Sequence, residues 1–362
     1  MKNVFGNAVT LTLFGESHGP AIGAVIDGLA PGITVDEEYI KSQLSLRRPQ
    51  DALSTARREA DPFRIESGVY NGKTTGTPIC IIIPNSDTRS ADYGIIAEKF
   101  RPSHADYSGH VKYSGFNDPR GGGHFSGRIT AALVAAGAIL LSALRERGIT
   151  VATHIASIGK VADRPFGDIA ADMEKLKQKP FAVLDSEREE AMKAEILAAK
   201  AEGDSVGGTL ETVVLGMPAG VGEPWFDTVE GLISHAVFSI PAVKGIEFGG
   251  GFALSQMRGS AANDPFILKD GKIETESNNS GGINGGITNG MPILFKTAIK
   301  PTPTIAREQK TVNTLLEETT LAAAGRHDPC IVHRARVVVD SVTALVLCDI
   351  LTQKYGTDGY LK

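Results

Sequence analysis

RGGGHFSGRITAALVAAGAILLSALRERG, residues 120–148, joins a glycine-rich loop directly to a long apolar run. The run from Ile129 to Arg147 is apolar on almost every side, which predicts a helix buried all round in the middle of the fold. Gly148 follows at a position where helices commonly end. The loop before the helix could hold an anion through its backbone N–H groups and the helix dipole. Alternatively it is a turn in which Ser126 caps the helix.

Neither of two common phosphate-binding loops matches this segment. A Rossmann G-x-G-x-x-G would need glycine where Ser126 stands and a strand before the loop, and residues 115–119 are not strand-like. A Walker loop ending at Gly127 would continue with Lys-Ser/Thr, whereas Arg128 and Ile129 follow. The segment alone therefore does not identify a ligand.

The rest of the chain predicts helices and strands in irregular order. Helices are expected from Glu37 to Arg48 with Asp36 as N-cap, from Glu187 to Glu202, and from Ser341 to Tyr355. Runs rich in apolar or β-branched residues predict strands at Val9–Phe14, Ile79–Ile83, Thr209–Leu215, Ile293–Ala298 and Arg336–Val339. Because these strands do not alternate regularly with helices, a doubly wound parallel sheet is disfavoured. The absence of a linker, repeat or charge block predicts a single domain over residues 1–362.

Composition narrows the possible function classes. A formal charge of −5 lacks the basic excess of a general nucleic-acid surface, so no nucleic-acid partner is expected. The widely spaced Cys80, Cys330 and Cys348 suggest neither a disulfide framework nor a thiolate metal site. Residues 1–7 lack the apolar core of a signal peptide, and we expect that no apolar run approaches the length needed to span a bilayer. We therefore expect a cytoplasmic protein without a membrane partner.

Several other segments concentrate acid–base or anion-binding side chains. They are Gly15-Glu16-Ser17-His18-Gly19, Pro102-Ser103-His104-Ala105-Asp106-Tyr107, the arginines Arg47, Arg48, Arg57 and Arg58, the glycine-rich run 278–290, and Gly325-Arg326-His327-Asp328-Pro329-Cys330. Histidine suits proton transfer, and arginine suits bidentate contacts with phosphate or carboxylate. Each segment also has a plain structural interpretation as a turn, a hairpin or an exposed face.

Two functions other than the one favoured below are compatible with these residues. A metal-dependent phosphohydrolase could use His104, Asp106 and His110 together with Glu16 and His18. A non-catalytic protein that binds a phosphorylated ligand could use the same arginines and glycines, but it would leave the acid–base segments unexplained. Metal analysis, chelator sensitivity and a turnover assay distinguish these alternatives.

The ordered set of motifs resembles the chorismate synthase family from about Gly6 to about Leu351. The motifs are GESHG at 15–19, RPSHADY at 101–107, RGGGHFSGR at 120–128, GGINGGITNGMPI at 281–293, KPTPTI at 300–305 and GRHDPC at 325–330. Each motif is weak alone, and their common order is highly specific. The resemblance implies an α+β fold of the β-α-β sandwich type and a homotetramer. It also implies conversion of 5-enolpyruvylshikimate 3-phosphate to chorismate with reduced FMN, while NADPH as the source of reducing equivalents stays open.

The resemblance also implies roles for individual residues. His18 is expected beside the departing phosphate, His104 beside the flavin and Asp328 near the flavin nitrogen, with Ser17 and Ser126 as proton relays. The expected flavin contacts are His124, Phe125, Ser126, Ala242, Gly285, Lys300, Pro301, Thr302, Pro303, Thr304 and Arg326. Arg47, Arg48 and Arg128 are expected to bind the substrate or NADP, and no metal is expected.

The chain departs from many relatives at a few of these positions. Where relatives read RSSARET, this chain has HFSGRIT at 124–130, which loses one arginine and one hydroxyl. Pro241 replaces a common asparagine, Ala52 a common arginine and Asp340 a common glutamate. We expect these departures to alter flavin contacts while activity is retained.

Overall fold

The computed structural model describes residues 2–49, 53–54, 60–85, 98–177, 179–322 and 328–359. Its helices are α1 (Glu37–Arg47), α2 (Asp106–Lys112), α3 (Thr130–Arg145), α4 (Ile169–Leu176), α5 (Ser186–Ala201), α6 (Val229–Val237), α7 (Gly259–Ala262) and α8 (Val332–Gly359). The strands of the two large sheets are β1 (Val4–Phe5), β2 (Thr10–Gly15), β3 (Ala21–Asp27), β4 (Arg64–Ile65), β7 (Ile79–Pro84), β8 (Thr150–Ile158), β9 (Val161–Ala162), β10 (Gly208–Leu215), β11 (Val243–Phe248) and β16 (Ile293–Ile299). The remaining strands form short hairpins: β5 (Val69–Tyr70) with β6 (Lys73–Thr74), β12 (Phe266–Lys269) with β13 (Lys272–Thr275), β14 (Ile283–Asn284) with β15 (Ile287–Thr288), and β17 (Gln309–Val312) with β18 (Glu318–Leu321).

Two antiparallel sheets enclose a layer of helices. The first sheet has the strand order β1-β2-β3-β7-β4, and the second has the order β11-β16-β10-β8-β9. Helix α3 packs on β3 and β7 of the first sheet, α8 packs on β8 and β10 of the second, and the two helices pack on each other. This sheet–helix–sheet arrangement is a β-α-β sandwich of the α+β class, the fold that the family resemblance implies.

Helix α3 forms the centre of the sandwich. Every residue from Ala131 to Leu144 is buried, because the helix meets protein on all sides. Gly137 allows a close approach to α8, since a Cβ at this position would lie 2.8 Å from the Ser341 Cα and overlap its side chain. The segment Gly127–Arg145 has a mean hydropathy of 1.8, high enough for a membrane span, so the expectation that no run reaches that length is wrong here. Because 89% of that segment is buried inside the fold, core packing already accounts for its apolar composition.

Local capping follows the sequence predictions. The Asp36 carboxylate accepts a hydrogen bond from the Tyr39 N–H at 3.0 Å and begins α1. The Ser126 hydroxyl accepts from the Arg128 N–H at 3.3 Å, immediately before α3. Gly148 and Gly203, with φ of 74° and 67°, end α3 and α5 in the left-handed conformation that glycine adopts without penalty.

One strand prediction is wrong. Arg336–Val339 lies inside α8, which begins at Val332 rather than at the predicted Ser341. Strand propensity reflects how well a side chain packs on the pleated surface of a sheet. In this fold the buried valines 337–339 are part of a helix that packs between α3 and a sheet. Tertiary packing outweighs the small intrinsic cost of β-branched residues in a helix.

Candidate active site

The ends of several elements meet at one large cavity of about 920 Å³. The turn after β2, the glycine-rich loop before α3, the segment after β16 and the segment before α8 all contribute to its wall. The sequence-predicted residues that line it are His18, His104, His124, Phe125, Ser126, Ala242, Lys300, Thr302, Pro303, Thr304 and Asp328. The fold therefore brings residues from five distant motifs, together with Ala242, around one space.

The glycine-rich loop lies directly against His18. Gly121, Gly122 and Gly123 have φ of 61°, 86° and 54°, a left-handed path that other residues rarely follow. A Cβ at Gly121 would overlap the His18 imidazole and lie 2.9 Å from the Ser17 hydroxyl oxygen. The Ser17 N–H donates to the Gly123 carbonyl at 3.1 Å. The loop thus packs against the Ser17–His18 turn and is hydrogen-bonded to it.

Ser17 and His18 are both buried, at 0% and 7% exposure. His18 lines the cavity, whereas Ser17 lies behind it. Within the described part of the chain, the Ser17 hydroxyl has no hydrogen-bond partner. A buried hydroxyl without a partner costs folding free energy, so packing alone does not explain a serine at this position.

His104 belongs to a cluster with Arg101 and Asp106. The Asp106 carboxylate lies 2.6 Å from His104 Nδ1 and accepts from the Arg101 guanidinium at 2.7 Å. Burial would raise the pKa of Asp106, but hydrogen bonds from Arg101 and His104 outweigh it and hold this pKa well below its usual range. The carboxylate therefore stays charged behind the imidazole.

His124 and Phe125, two of the positions at which we expect a departure from many relatives, are both anchored. His124 Nδ1 donates to the Gly15 carbonyl at 2.8 Å, which ties the loop to the end of β2. The Phe125 ring lies against Gly109 of α2 and 6.1 Å from the Tyr113 ring. These contacts give the cavity a wall with one imidazole and one aromatic ring.

Lysines supply positive charge to the cavity. Lys300 donates through Nζ to the Ser103 carbonyl, which links the segment after β16 to the His104 motif. Burial, together with the nearby charge of Lys244, lowers the pKa of Lys300. Lys2 and Lys244 line the same cavity, so an anionic group bound there would meet several cations.

Asp328 is held from two directions. Arg334 Nη1 donates to its carboxylate at 2.6 Å, and the Thr302 hydroxyl donates to its backbone carbonyl at 2.6 Å. Ser205 in turn donates through Oγ to the Thr302 carbonyl at 2.7 Å. The two segments that carry Thr302 and Asp328 therefore form one unit beside the cavity.

Arginines line a second pocket of about 230 Å³ next to the main cavity. Arg47, Arg48 and Arg128 all line it, and it shares Ser126, Thr130 and Asp328 with the main cavity. The buried Asp61 carboxylate pairs with Arg128 and lies 3.6 Å from Arg47 Nη1. One carboxylate thus orients two guanidinium groups and leaves the pocket positively charged.

A few predicted site residues do not join this group. Gly285 is exposed in the turn between β14 and β15. Neither Gly285 nor Pro301 lines the main cavity or the arginine pocket. Asp340 is buried between α8 and β8, where Thr153 Oγ1 donates to it at 2.6 Å. Positions 52, 57, 58, 325, 326 and 327, which include Ala52 and Arg326, lie outside the described residues.

Four residues that hold the site together were not predicted from the sequence as functional: Arg101, Asp61, Arg334 and Ser205. Arg101 stands inside the RPSHADY motif, three positions before His104, so that spacing could have indicated it. Asp61 and Arg334 act on residues distant in sequence, and no local pattern points to them. Ser205 follows the helix α5 by a few residues, but its partner Thr302 is 97 positions away.

The geometry does not support the metal-site alternative. Among the residues that the structure describes, no group of three His, Cys, Asp or Glu side chains could hold a metal ion. His104 and Asp106 pair with Arg101 instead, and the His110 ring packs 5.6 Å from the Phe100 ring. His104, Asp106 and His110 are therefore engaged in contacts other than with a metal.

Comparison with known proteins gives the family. The family model described as chorismate synthase matches residues 9–352 of this chain. The chain belongs to the chorismate synthase family. Membership makes it an enzyme, a carbon–oxygen lyase acting on phosphates, in agreement with the activity that the motif resemblance implies.

Individual members of the chorismate synthase family are similar along their full length. A chorismate synthase from Thermococcus kodakarensis is 45% identical over 358 residues, which cover 99% of each chain. One from Korarchaeum cryptofilum is 47% identical over 350 residues, or 96% of each chain. A crystal structure of a chorismate synthase superposes with a TM-score of 0.77 at 31% identity and covers 98% of this chain and 94% of that one. The sandwich described above is thus the fold of this family.

Proposed function

We propose that this protein converts 5-enolpyruvylshikimate 3-phosphate to chorismate by 1,4-elimination of phosphate and a ring proton, with reduced FMN bound beside the substrate. The observation that carries the proposal is the junction of the two cavities at Ser126, Thr130 and Asp328. At this junction the main cavity, which is lined by histidines and lysines, meets the second pocket, which is lined by arginines. This combination suits a planar cofactor next to a substrate with one phosphate and two carboxylates.

The main cavity fits a flavin nucleotide in size and lining. Its volume of about 920 Å³ is that of a cofactor site, and it combines an aromatic ring with several cations. We assign flavin contacts to His124, Phe125, Ser126, Ala242, Lys300, Thr302, Pro303 and Thr304, with Pro301 shaping the backbone between them. Gly285 and Arg326 stay predictions from the resemblance. When bound, reduced FMN supplies transient electron or proton transfer without net redox change.

The arginine pocket is the proposed place of the substrate anions. Arg47 and Arg128 face it with guanidinium groups already oriented by Asp61, so little side-chain freedom is lost on binding. Arg48 lies beside them and donates to the Ala60 carbonyl at 2.9 Å. Two guanidinium groups on one carboxylate leave net positive charge, which explains how a chain with net charge −5 binds a polyanion.

The acid–base groups divide the proton movements between them. We assign to His18 the transfer of a proton to the departing phosphate, with the Ser17 and Ser126 hydroxyls as relays. Asp328, oriented by Arg334, would help to remove the ring proton beside the flavin nitrogen. His104, backed by Asp106, would hold a proton beside the flavin.

We also propose a homotetramer of single-domain subunits in the cytoplasm, with neither nucleic acid nor membrane as a partner. Large apolar side chains that are strongly exposed in the single chain support association with further copies. They include Trp225, Phe226, Phe252, Phe266 and Leu268, each at least 68% exposed. Contacts between copies would remove these side chains from water.

Anaerobic turnover tests the proposed function. Purified protein with photoreduced FMN and 5-enolpyruvylshikimate 3-phosphate should release chorismate and phosphate in equal amounts, while oxidised FMN should give none. A chelator should leave the rate unchanged, which separates this reaction from a metal-dependent phosphohydrolase. A parallel reaction with NADPH and oxidised FMN shows whether the chain reduces its own flavin. Release of phosphate without chorismate, or turnover without flavin, would contradict the proposal.

A further inference from the structure

Arg101, His104 and Asp106 form a closed cluster at the wall of the cavity. We propose that Asp106, held by Arg101, is a positioning residue that keeps a proton on His104 Nδ1 and leaves Nε2 as the atom that exchanges a proton at the cavity. The inference rests on the proposed function, because His104 is assigned there to hold a proton beside the flavin.

The distances within the cluster determine which nitrogen carries the proton. Asp106 Oδ1 lies 2.6 Å from His104 Nδ1. Two bare lone pairs would repel each other at this distance, so a proton must lie between the two atoms. Arginine has only donors, and Arg101 Nη2 also donates to Oδ1, at 2.7 Å. Arg101 Nη2 and His104 Nδ1 lie 3.1 Å apart because both donate to the same acceptor, Asp106 Oδ1.

Arg101 keeps the carboxylate both charged and oriented. Asp106 Oδ2 accepts from the Arg101 side-chain Nε at 2.7 Å and from the Arg101 backbone N–H at 3.0 Å. The Arg101 side chain is 8% exposed and that of Asp106 is 17% exposed, so water competes weakly for these bonds. Asp106 therefore cannot turn away from the imidazole without losing its bonds to Arg101.

The other edge of the imidazole borders the glycine-rich loop. A Cβ at Gly122 would lie 3.3 Å from His104 Cε1 and 3.5 Å from Nε2. Gly122 has a φ of 86° and carries no side chain, so the Nε2 edge keeps room for a ligand in the cavity that His104 lines. The atom opposite the Asp106 contact is thus the one available for proton exchange.

Replacing Asp106 by asparagine should move the proton. We expect the amide oxygen to take the Oδ2 position, where two Arg101 donors converge, so that the amide NH₂ group takes the Oδ1 position. Arg101 Nη2 then loses its acceptor at Oδ1 and lies 3.1 Å from His104 Nδ1. Nδ1 becomes the acceptor that faces both donors, and its proton moves to Nε2. The same exchange in the Ser-His-Asp triad produces the wrong tautomer and lowers kcat by about 10⁴-fold.

The test combines a tautomer measurement with kinetics on the full-length Asp106→Asn protein. ¹⁵N-histidine NMR reads the tautomer, and the His104 signals are identified by their loss in a His104→Gln protein. We expect a protonated Nδ1 in the wild type and a protonated Nε2 in the variant. kcat should fall by about 10²–10⁴-fold, the contribution of a general acid or base. KM for the phosphorylated substrate should change little.

Asp172→Asn is the matched control. Asp172 forms the same kind of fork with Arg164, at 2.6 and 2.7 Å, and its side chain is 3% exposed, but it lies on α4 and lines neither cavity. Loss of this fork should change thermal stability while kcat and the His104 tautomer stay as in the wild type.

The outcomes separate this inference from the proposed function. A wild-type His104 that carries its proton on Nε2 would overturn the inference even if the Asp106→Asn protein does not fold. A folded Asp106→Asn protein with the wild-type tautomer and wild-type kcat would also overturn it. Absence of wild-type turnover with reduced FMN would instead defeat the proposed function, while the NMR measurement would still decide the role of Asp106.

Discussion

Alanine at position 121 should disturb His18 and Ser17 through a single added methyl group. Gly121 has a φ of 61°, and its Cβ would overlap the His18 imidazole and lie 2.9 Å from the Ser17 hydroxyl oxygen. Contacts under 3.0 Å essentially never occur for real Cβ atoms. His18 and Ser17 are both buried, and the Ser17 N–H is hydrogen-bonded to the Gly123 carbonyl. Neither side chain can therefore move aside without disturbing other contacts.

Two costs add in the Gly121→Ala protein. An alanine in the left-handed conformation costs about 1–2 kcal/mol. Overpacking against a well-packed neighbour costs about 1–3 kcal/mol more. If the loop keeps its shape, the free energy of unfolding should therefore fall by about 2–5 kcal/mol. If His18 moves instead, part of the cost appears as a loss of kcat of up to about 10²–10⁴-fold.

Urea unfolding and anaerobic turnover measure both quantities, with Gly148→Ala as the control. Gly148 has a φ of 74°, and a Cβ added there would have no atom within 4 Å. Only the cost of holding an alanine in the left-handed conformation, about 1–2 kcal/mol, therefore applies at this position. Gly148→Ala should retain the wild-type kcat. If Gly121→Ala matches Gly148→Ala in stability and also keeps the wild-type kcat, the proposed contact between the loop and His18 is wrong.

Two further predictions concern the core. Gly137→Ala should lower the free energy of unfolding by about 1–3 kcal/mol because its Cβ would overlap Ser341, and adding Ser341→Gly should recover part of the loss in urea unfolding. Burial raises the pKa of Asp340 to about 6 from 3.8, so the stability from its bound proton is fully present below about pH 4 and is lost as pH rises through 6. A shift of one pKa unit corresponds to about 1.4 kcal/mol in the free energy of unfolding. The Asp340→Asn side chain still accepts a hydrogen bond from Thr153 and carries no charge. At pH 7 the free energy of unfolding of this variant should therefore exceed that of the wild type by about 3 kcal/mol. Unfolding measured across this range should show the difference vanish near pH 4, and a constant difference would contradict the reasoning.

Local sequence patterns predicted the four longest helices and the strands β2, β7, β10 and β16, but not β3, β8 or the short hairpins. The buried helix α3, the cap at Asp36 and the glycines that end α3 and α5 all depend on residues within a few positions of each other. Arg336–Val339 shows where this approach fails, since three consecutive valines favour a strand until long-range packing is known. The correct structure at these residues depends on α3 and on both sheets.

The candidate site was only partly accessible from the sequence. The motifs named His18, His104 and Asp328, and the structure brings all three to one cavity. The motif at 104–110 left open whether His104 and Asp106 pair with His110 around a metal or with another group. The fold pairs them with Arg101 and turns His110 toward Phe100.

By itself, the sequence determined the family, the enzyme class and the buried central helix, because motif order, residue spacing and apolar periodicity are properties of the chain as written. Only the tertiary structure decided which side chains act together. Asp61 orients Arg47 and Arg128, Arg334 holds Asp328, and no sequence separation encodes those choices. Distance and burial set the strength of a charge pair, and both exist only after two sheets have closed around α3 and α8.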